Sequence, residues 1–251
     1  MIDIFYKSYS KDFKLLYYSL QSLTKNVTGY NKVVILIPEL DRHLFDTRIL
    51  PERTEIHYVN EYGNGYLFQQ VCKIKAHNYS SADFIMFSDS DLIFDHPINL
   101  QDFILDGKPE ILMTSYYGED GKNQLGDAIC WKQATETMFG EFVDFEYMRR
   151  NNLIYHRETL VNIESKFPNI EYTIMQSKSF SEFNFIGFFA EKYESDKYNF
   201  VNTNNWVYTP PKSIQLWSWF DKNSKEDLHI YEYKRALETI NNVLGLTLTE
   251  L

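Results

Sequence analysis

The chain has 251 residues and a formal net charge of −10 at pH 7. This length fits one α/β domain, or one such domain with a small helical addition. Hydrophobic residues make up 44% of the chain and charged residues 24%, so it can bury a sizeable core and global disorder is excluded. The negative charge, together with the lack of any run of Lys and Arg in the sequence, excludes nucleic-acid binding as the expected function.

Apolar runs and helical patterns alternate through residues 1–115. Strands are predicted at residues 2–6, 32–37, 55–59, 84–88 and 111–115. The apolar faces of two predicted helices between them consist of Phe13, Leu16, Leu20 and Leu23 in the first and of Leu67, Val71 and Ile74 in the second. This alternation predicts an α/β fold, with an open, mostly parallel, Rossmann-type sheet and helices on both faces.

Residues 116–251 are predicted to form a more helical half. The predicted helices cover residues 156–166, 181–193 and 230–245, with Gly245 ending the last one, and residues 202–211 are expected to form a loop. Neither a repeat nor a clear linker interrupts the sequence, so residues 1–251 are expected to form a single domain.

The sequence also predicts the compartment. The N-terminal segment MIDIFYKSYSKDF lacks the basic and apolar regions of a signal peptide, and no stretch approaches the length of apolar sequence that spans a bilayer. Cys72 and Cys130 stand in no metal-binding or redox spacing, which favours buried free thiols in a reducing compartment. We therefore expect a cytoplasmic protein without a transmembrane segment.

The most informative segment is DFIMFSDSDLIF, which begins at Asp83. Its apolar strand runs directly into Asp89 and Asp91, at the strand end where parallel sheets bind their ligands. Residues two apart in extended backbone point to the same side, so the two carboxylates are expected to project together. Their repulsion favours a cation between them, and oxygen ligands suit Mg²⁺ or Mn²⁺. Such a cation would also let an acidic chain bind a diphosphate.

The segment FSDSDLIF resembles the D-x-D segment of GT-A glycosyltransferases. The first strand, the loop YKSYSKD and the following helix are similar to their nucleotide-binding start, and QQVCKIKA looks like the helix that precedes their D-x-D strand. This resemblance, to bacterial or viral members of no assignable family, covers about residues 1–115. It implies that residues 1–115 bind a nucleotide-sugar donor, with a UDP-sugar expected, and that residues 116–251 face a glycan or other hydroxyl acceptor.

The same resemblance assigns donor-binding residues. It places the nucleobase and ribose at the loop with Ser8, Tyr9 and Asp12, and it counts Ser90 of the D-x-D segment among the donor contacts. The alternative for this loop is a plain turn with Asp12 as the N-cap of the helix.

One face of the second predicted helix carries further candidates. Gln70, Lys73 and His77 share that face by their spacing of three and four residues. Lys73 can neutralise donor phosphate there, and the alternative is a solvated helix face.

Two sets of candidates lie further along the chain. His156 and His229 are candidates for a third metal ligand, although a lone His is more often structural. Trp217, Ser218 and Trp219 are candidates for a flexible lid that meets the donor phosphates. The alternative for this segment is C-terminal packing.

Glu182 is the candidate catalytic base. The segment Ser181-Glu182-Phe-Asn184 is a looser match to the acceptor-side helix of some bacterial GT-A enzymes, and an inverting transferase needs a group that accepts the proton of the acceptor hydroxyl. Ser181 is expected to cap this helix, and a helix dipole by itself favours Glu in the first turn. Acceptor binding and simple helix capping therefore stay open as alternatives, and a retaining enzyme would need no such base.

Two other functions share parts of this pattern. A haloacid-dehalogenase-like phosphatase would use Asp89 as its nucleophile, but that fold usually places the motif after its first strand. A non-catalytic carbohydrate-binding protein is the other alternative, and turnover of a donor would distinguish it from an enzyme.

Overall fold

The structure is a computed structural model that describes residues 1–149, 153–204, 214–215 and 227–248. The elements of its first half are β1 (Ile2–Lys7), α1 (Phe13–Asn26), β2 (Val27–Thr28), β3 (Lys32–Pro38), β4 (Thr54–Val59), α2 (Gly65–Ile74) and β5 (Phe84–Ser88). The strands and helices predicted for residues 1–88 are confirmed, with ends that differ by one or two residues. Pro38 is the last residue of β3, as expected of a residue that cannot donate a backbone hydrogen bond.

The second half contains short strands and five helices within the described residues. Its elements are β6 (Leu92–Ile93), β7 (Ile98–Asn99), β8 (Ile104–Leu105), β9 (Lys108–Ser115), α3 (Ile129–Phe139), β10 (Phe145–Glu146), β11 (Leu153–His156), α4 (Arg157–Lys166), α5 (Ile170–Met175), α6 (Glu182–Tyr193), β12 (Asn199–Asn202), β13 (Ile214–Gln215) and α7 (Asp227–Leu244). None of the helices described combines the length and the apolar character that crossing a bilayer requires.

Five strands form the central sheet, in the order β11, β5, β1, β3, β4. The last four are parallel to one another, and β11 is antiparallel to β5. Tyr6 of β1 pairs with Ser88 of β5, and Lys7 pairs with Leu36 of β3, so the carboxyl ends of these strands lie level at one edge. The predicted fold class, a mostly parallel sheet flanked by helices, is confirmed.

The sheet differs from the sequence-based expectation at one edge. The predicted strand 111–115 belongs to β9, which forms a second sheet with β10, β12 and β8. The place beside β5 is taken by β11, which was not predicted. Its four residues run directly into α4, so the helical pattern that starts there obscured the strand.

Apolar layers cover both faces of the central sheet. Phe5 and Val34 face a cluster that includes α2, α4, α5 and α6, whereas Ile4 and Val33 face a cluster that includes α1. Neighbouring residues of a strand point to opposite faces, so a strand covered on both sides needs an unbroken apolar run. This explains the sequence KVVILI in β3 and fixes α1 and α2 on opposite faces.

The first turns of α6 lie deep in the protein because Gly187 allows close contact with Tyr147, the residue that follows β10. A Cβ atom built on Gly187 would lie 2.4 Å from Cβ and Cγ of Tyr147. The Tyr147 hydroxyl donates to Glu191, and its backbone N–H donates to Asn184 at 2.9 Å, so this residue is held from both ends. The contact with Tyr147 therefore helps to fix the position of the first turns of α6.

Substitution of Gly187 by Ala should destabilise the protein by about 2 kcal/mol, because overpacking outweighs the better helix propensity of Ala. The free energy of unfolding in urea measures this effect. Thr137→Ala is the matched control, since Thr137 is exposed on α3, and it should change stability by less than about 0.5 kcal/mol. Equal stability of Gly187→Ala and the wild type would contradict the close contact between Gly187 and Tyr147.

Candidate active site

Acidic residues converge at the carboxyl ends of β1, β4 and β5. Burial raises the pKa of Asp12, and the charge of Asp89 raises it further while Lys7 opposes both. Burial likewise raises the pKa of Tyr9, followed by the negative charges of Asp12, Glu61 and Asp91. Each of these effects requires that the charged group lie near Asp12 or Tyr9. The structure thus brings four carboxylates to the edge where parallel sheets bind ligands. These carboxylates, of Asp12, Glu61, Asp89 and Asp91, are called the acidic cluster below.

The D-x-D segment forms a tight turn instead of the expected extended backbone. The N–H of Leu92 donates to the carbonyl of Asp89 at 3.1 Å. The turn directs the Ser90 hydroxyl inward, where it donates to the Ser8 hydroxyl at 2.8 Å, and both serines are buried. The predicted donor contacts Ser8 and Ser90 therefore hold the loop after β1 and the D-x-D turn together.

The loop after β1 exposes two of its predicted residues. Tyr9 is 39% exposed, and Asp12 is partly exposed. Asp12 occupies the N-cap position of α1, but its side chain makes no capping hydrogen bond. The capping alternative for Asp12 is therefore wrong, and its carboxylate belongs with the acidic cluster.

Lys73 joins the D-x-D segment to α6. Its Nζ lies 2.8 Å from Oδ1 of Asp89 and 2.6 Å from Oε1 of Glu182. The contact between Lys73 and Asp89 has hydrogen-bond geometry. The contact between Lys73 and Glu182 is a close ion pair that lacks the angles of a hydrogen bond. Burial opposes the charge on Lys73, but the two carboxylates outweigh burial and raise its pKa. Lys73 is thus a buried ammonium that touches both carboxylates.

Two glutamines of α2 support the same arrangement. Gln69 donates from its amide to Oδ1 of Asp89 at 3.2 Å, and the Gln70 side-chain oxygen accepts from the N–H of Glu182 at 3.1 Å. Gln70 is buried. The predicted polar face of α2 therefore lies inside the protein, where it contacts Asp89 after β5 and the start of α6. The alternative that this face is solvated is wrong for Gln70 and Lys73. His77 is separate from this contact and pairs with Glu164 at 2.9 Å.

Glu182 begins α6 and is 2% exposed. The Ser181 hydroxyl accepts from the N–H of Asn184 at 3.3 Å, which confirms Ser181 as the cap and leaves Glu182 without that task. Burial raises the pKa of Glu182, while Lys73 lowers it and the charge of Asp89 raises it again. A carboxylate of this kind accepts a proton more readily than one in water.

Lys7 and Glu61 also lie at this edge and were missed by the sequence analysis. Lys7 Nζ lies 2.9 Å from Oε2 of Glu61, and the lysine side chain is only 3% exposed. Lys7 is the last residue of β1, a position that by itself marks the ligand-binding edge. Its partner stands 54 residues away in sequence, so no local pattern could identify the pair.

His156 is not brought to the site. It pairs with Phe84, the first residue of β5, whereas Asp89 follows the last residue of that strand. Its Nε2 lies 3.1 Å from the carbonyl oxygen of Lys197, and burial lowers its pKa. The assignment of His156 as third metal ligand is therefore wrong, because β5 separates it from Asp89 by its whole length.

Several predicted residues cannot be placed. The lid candidates Trp217, Ser218 and Trp219 lie outside the described residues, and so does the side chain of His229. Across the part of the chain that the structure describes, no three His, Cys, Asp or Glu side chains are grouped to hold a metal ion.

Comparison with known proteins identifies the fold. No protein-family model and no curated protein matches the sequence. The galactosyltransferase LgtC, solved with donor and acceptor sugar analogues, aligns over 98% of this chain and 97% of its own, with a TM-score of 0.53 and 10% identity. An active-site mutant of LgtC aligns over 96% of this chain and 95% of its own, with a TM-score of 0.55 and 11% identity.

A second glycosyltransferase shares the fold. The apo form of GlyE from Streptococcus pneumoniae TIGR4 aligns over 97% of this chain and 63% of its own, with a TM-score of 0.51 and 13% identity. At identities this low, the structural alignments establish the shared fold, and they do not assign roles to individual residues of the site. The chain has the GT-A-like architecture that the sequence predicted.

Proposed function

We propose that this protein is a metal-dependent glycosyltransferase that transfers a sugar from a UDP-sugar to a hydroxyl group of a glycan or another acceptor. The observation that carries the proposal is the acidic cluster at the carboxyl ends of β1, β4 and β5, in a fold that aligns with LgtC over 98% of this chain. LgtC binds donor and acceptor sugar analogues. Residues 1–115 are proposed to bind the donor and residues 116–251 to face the acceptor.

The acidic residues fit Mn²⁺ or Mg²⁺. Asp89 offers one oxygen to Lys73 and Gln69, and its side chain is 28% exposed. Asp91 is partly exposed and acts electrostatically on the same loop as Asp89. Mg²⁺ is commonly held by one or two carboxylates together with substrate phosphates, so two protein ligands are enough. When bound, such an ion stabilises charge on the departing nucleoside diphosphate.

The remaining residues of the cleft are proposed to orient the two substrates. Tyr9 presents a half-exposed ring beside the acidic cluster and is proposed to stack on the nucleobase. Asp12 is proposed to accept a hydrogen bond from the ribose. The buried Ser8–Ser90 contact keeps this loop and the D-x-D turn at a fixed separation.

Glu182 is proposed as the catalytic base of an inverting reaction. Lys73 places its carboxylate next to Asp89, hence next to the donor. Its raised pKa suits a group that takes the proton from the attacking acceptor hydroxyl. No observation favours the phosphatase alternative, since Asp89 here follows the fifth strand of the chain and the matched folds are those of glycosyltransferases.

Asp89→Asn and Asp91→Asn should each reduce Mn²⁺-dependent hydrolysis of a UDP-sugar by at least about 100-fold, because each removes a charged metal ligand. A screen of UDP-sugars with and without Mn²⁺ measures this activity. Asp83→Asn is the control, because Asp83 lies just before β5, at the opposite end of that strand. Full activity of the wild type in chelator would refute metal dependence. If the wild type turns over none of the nucleotide sugars, the proposal of a transferase is refuted.

Tyr9→Ala should weaken binding of UDP roughly 10-fold, since stacking of a base on an aromatic ring contributes about 1–3 kcal/mol. Tyr9→Phe should bind UDP as the wild type does. Isothermal titration in Mn²⁺ measures both affinities, and Tyr172→Ala serves as an exposed aromatic control. Unchanged affinity of Tyr9→Ala would remove the nucleobase from this loop.

Glu182→Gln should lower the kcat of transfer by about 100-fold or more and leave the KM of the donor unchanged. The wild-type rate should fall as the pH falls through the raised pKa of Glu182, because protonation removes the base, whereas the mutant rate should stay low at all pH values. Glu158→Gln, an exposed first-turn Glu of α4, is the control. Wild-type transfer by Glu182→Gln would limit Glu182 to a structural role.

A further inference from the structure

Lys73 lies in the right region to bind donor phosphate, but its environment does not allow that contact. Its side chain is 2% exposed, and its Nζ is enclosed by Asp89, Glu182 and the ring of Phe183, whose centroid lies 4.5 Å away. A phosphate that replaced these contacts would leave two carboxylates without their counter-ion. The ammonium group of Lys73 therefore binds groups of the protein and not the donor phosphate.

The helix that carries Lys73 makes a series of contacts with the start of α6. The Tyr66 hydroxyl donates to the carbonyl of Phe180 at 2.8 Å, and Gln70 accepts from the N–H of Glu182 at 3.1 Å. Tyr66, Gln70 and Lys73 follow one another at spacings of four and three residues, so they lie on one face of α2. This face determines where the backbone of residues 180–182 and the Glu182 carboxylate lie.

We propose that Lys73 is a positioning residue, which holds the Glu182 carboxylate beside Asp89 and acts as the internal counter-ion of both groups. The proposal rests on the function proposed above, with Asp89 as a metal ligand and Glu182 as the base. Lys73 competes with the metal ion for Asp89, since its Nζ already contacts one oxygen of that carboxylate. It also compensates the charge of the buried Glu182 carboxylate, whose Oε1 lies 2.6 Å from its Nζ.

A positioning role and a phosphate-binding role predict opposite effects of Lys73→Met. Loss of a competing cation should make binding of Mn²⁺ alone tighter, by roughly 3- to 10-fold. The kcat of transfer should fall about 100-fold, as expected when a general base is misplaced, while the KM of the donor should stay within about 3-fold. A phosphate ligand would instead raise the KM of the donor at least tenfold and would not tighten Mn²⁺ binding.

The same substitution in a second background keeps the test valid if Lys73→Met alone fails to fold. In Lys73→Met/Glu182→Gln, one carboxylate charge is removed together with the ammonium. Residues that act through one another show non-additive effects. The double variant should therefore match Glu182→Gln in kcat and in the KM of the donor, and a further rise in that KM would overturn the proposal.

Lys75→Met is the matched control, because Lys75 ends the same helix but pairs with Glu164 and Glu171 away from Asp89. It should change neither Mn²⁺ affinity nor kcat. The experiment is a calorimetric Mn²⁺ titration without nucleotide, followed by transfer kinetics, on the wild type and these variants. If the wild type binds Mn²⁺ but turns over no nucleotide sugar, the proposed function fails, and tighter Mn²⁺ binding by Lys73→Met still supports the counter-ion role. If the wild type transfers sugar but Lys73→Met only raises the KM of the donor, the function stands and the role of Lys73 proposed here is wrong.

Discussion

Two carboxylates from different elements meet inside this protein, and a single ammonium group makes that possible. Asp89 follows β5 and Glu182 begins α6, and Lys73 of α2 touches both. A buried charge is costly unless it is paired, so the lysine offsets the cost of burying Glu182, whereas Asp89 keeps 28% of its side chain exposed. The position of α2 between β5 and α6 thus has an electrostatic reason as well as an apolar one.

At this edge of the sheet the positive charges are buried and the negative charges lie nearer to solvent. The cations Lys7 and Lys73 are buried, whereas Glu61, Asp89 and Asp91 are partly exposed. Each buried lysine is bound to a carboxylate, so little positive potential remains for an incoming anion. A nucleoside diphosphate needs positive charge in the cleft, and a cation from solution is the simplest source. This layering connects the chain's negative net charge with the proposed metal dependence.

Neutral contacts give the charged residues their fixed geometry. The buried hydrogen bond between Ser8 and Ser90 joins the loop after β1 to the turn after β5. The close contact of Gly187 with Tyr147 packs α6 against that residue, and Gly187 lies five residues after Glu182. Rigid supports of this kind position reactive groups before substrate arrives, which lowers the reorganisation needed during catalysis.

The sequence by itself determined the fold class, the four parallel strands and two helices up to residue 88, and the importance of Asp89 and Asp91. These features are local, because the period of apolar residues and a polar pair after an apolar strand can be recognised within about ten residues. The cap at Ser181 is equally local and was confirmed.

Only the tertiary structure decided which distant groups meet. It paired Lys7 with Glu61 and Lys73 with Glu182, and it placed His156 at the wrong end of β5 for a metal ligand. A spacing of three and four residues defines a helix face, but it does not say whether that face meets water or another element. Packing between segments far apart in the sequence settles that question, because burial and strand register belong to the assembled fold and not to any single segment.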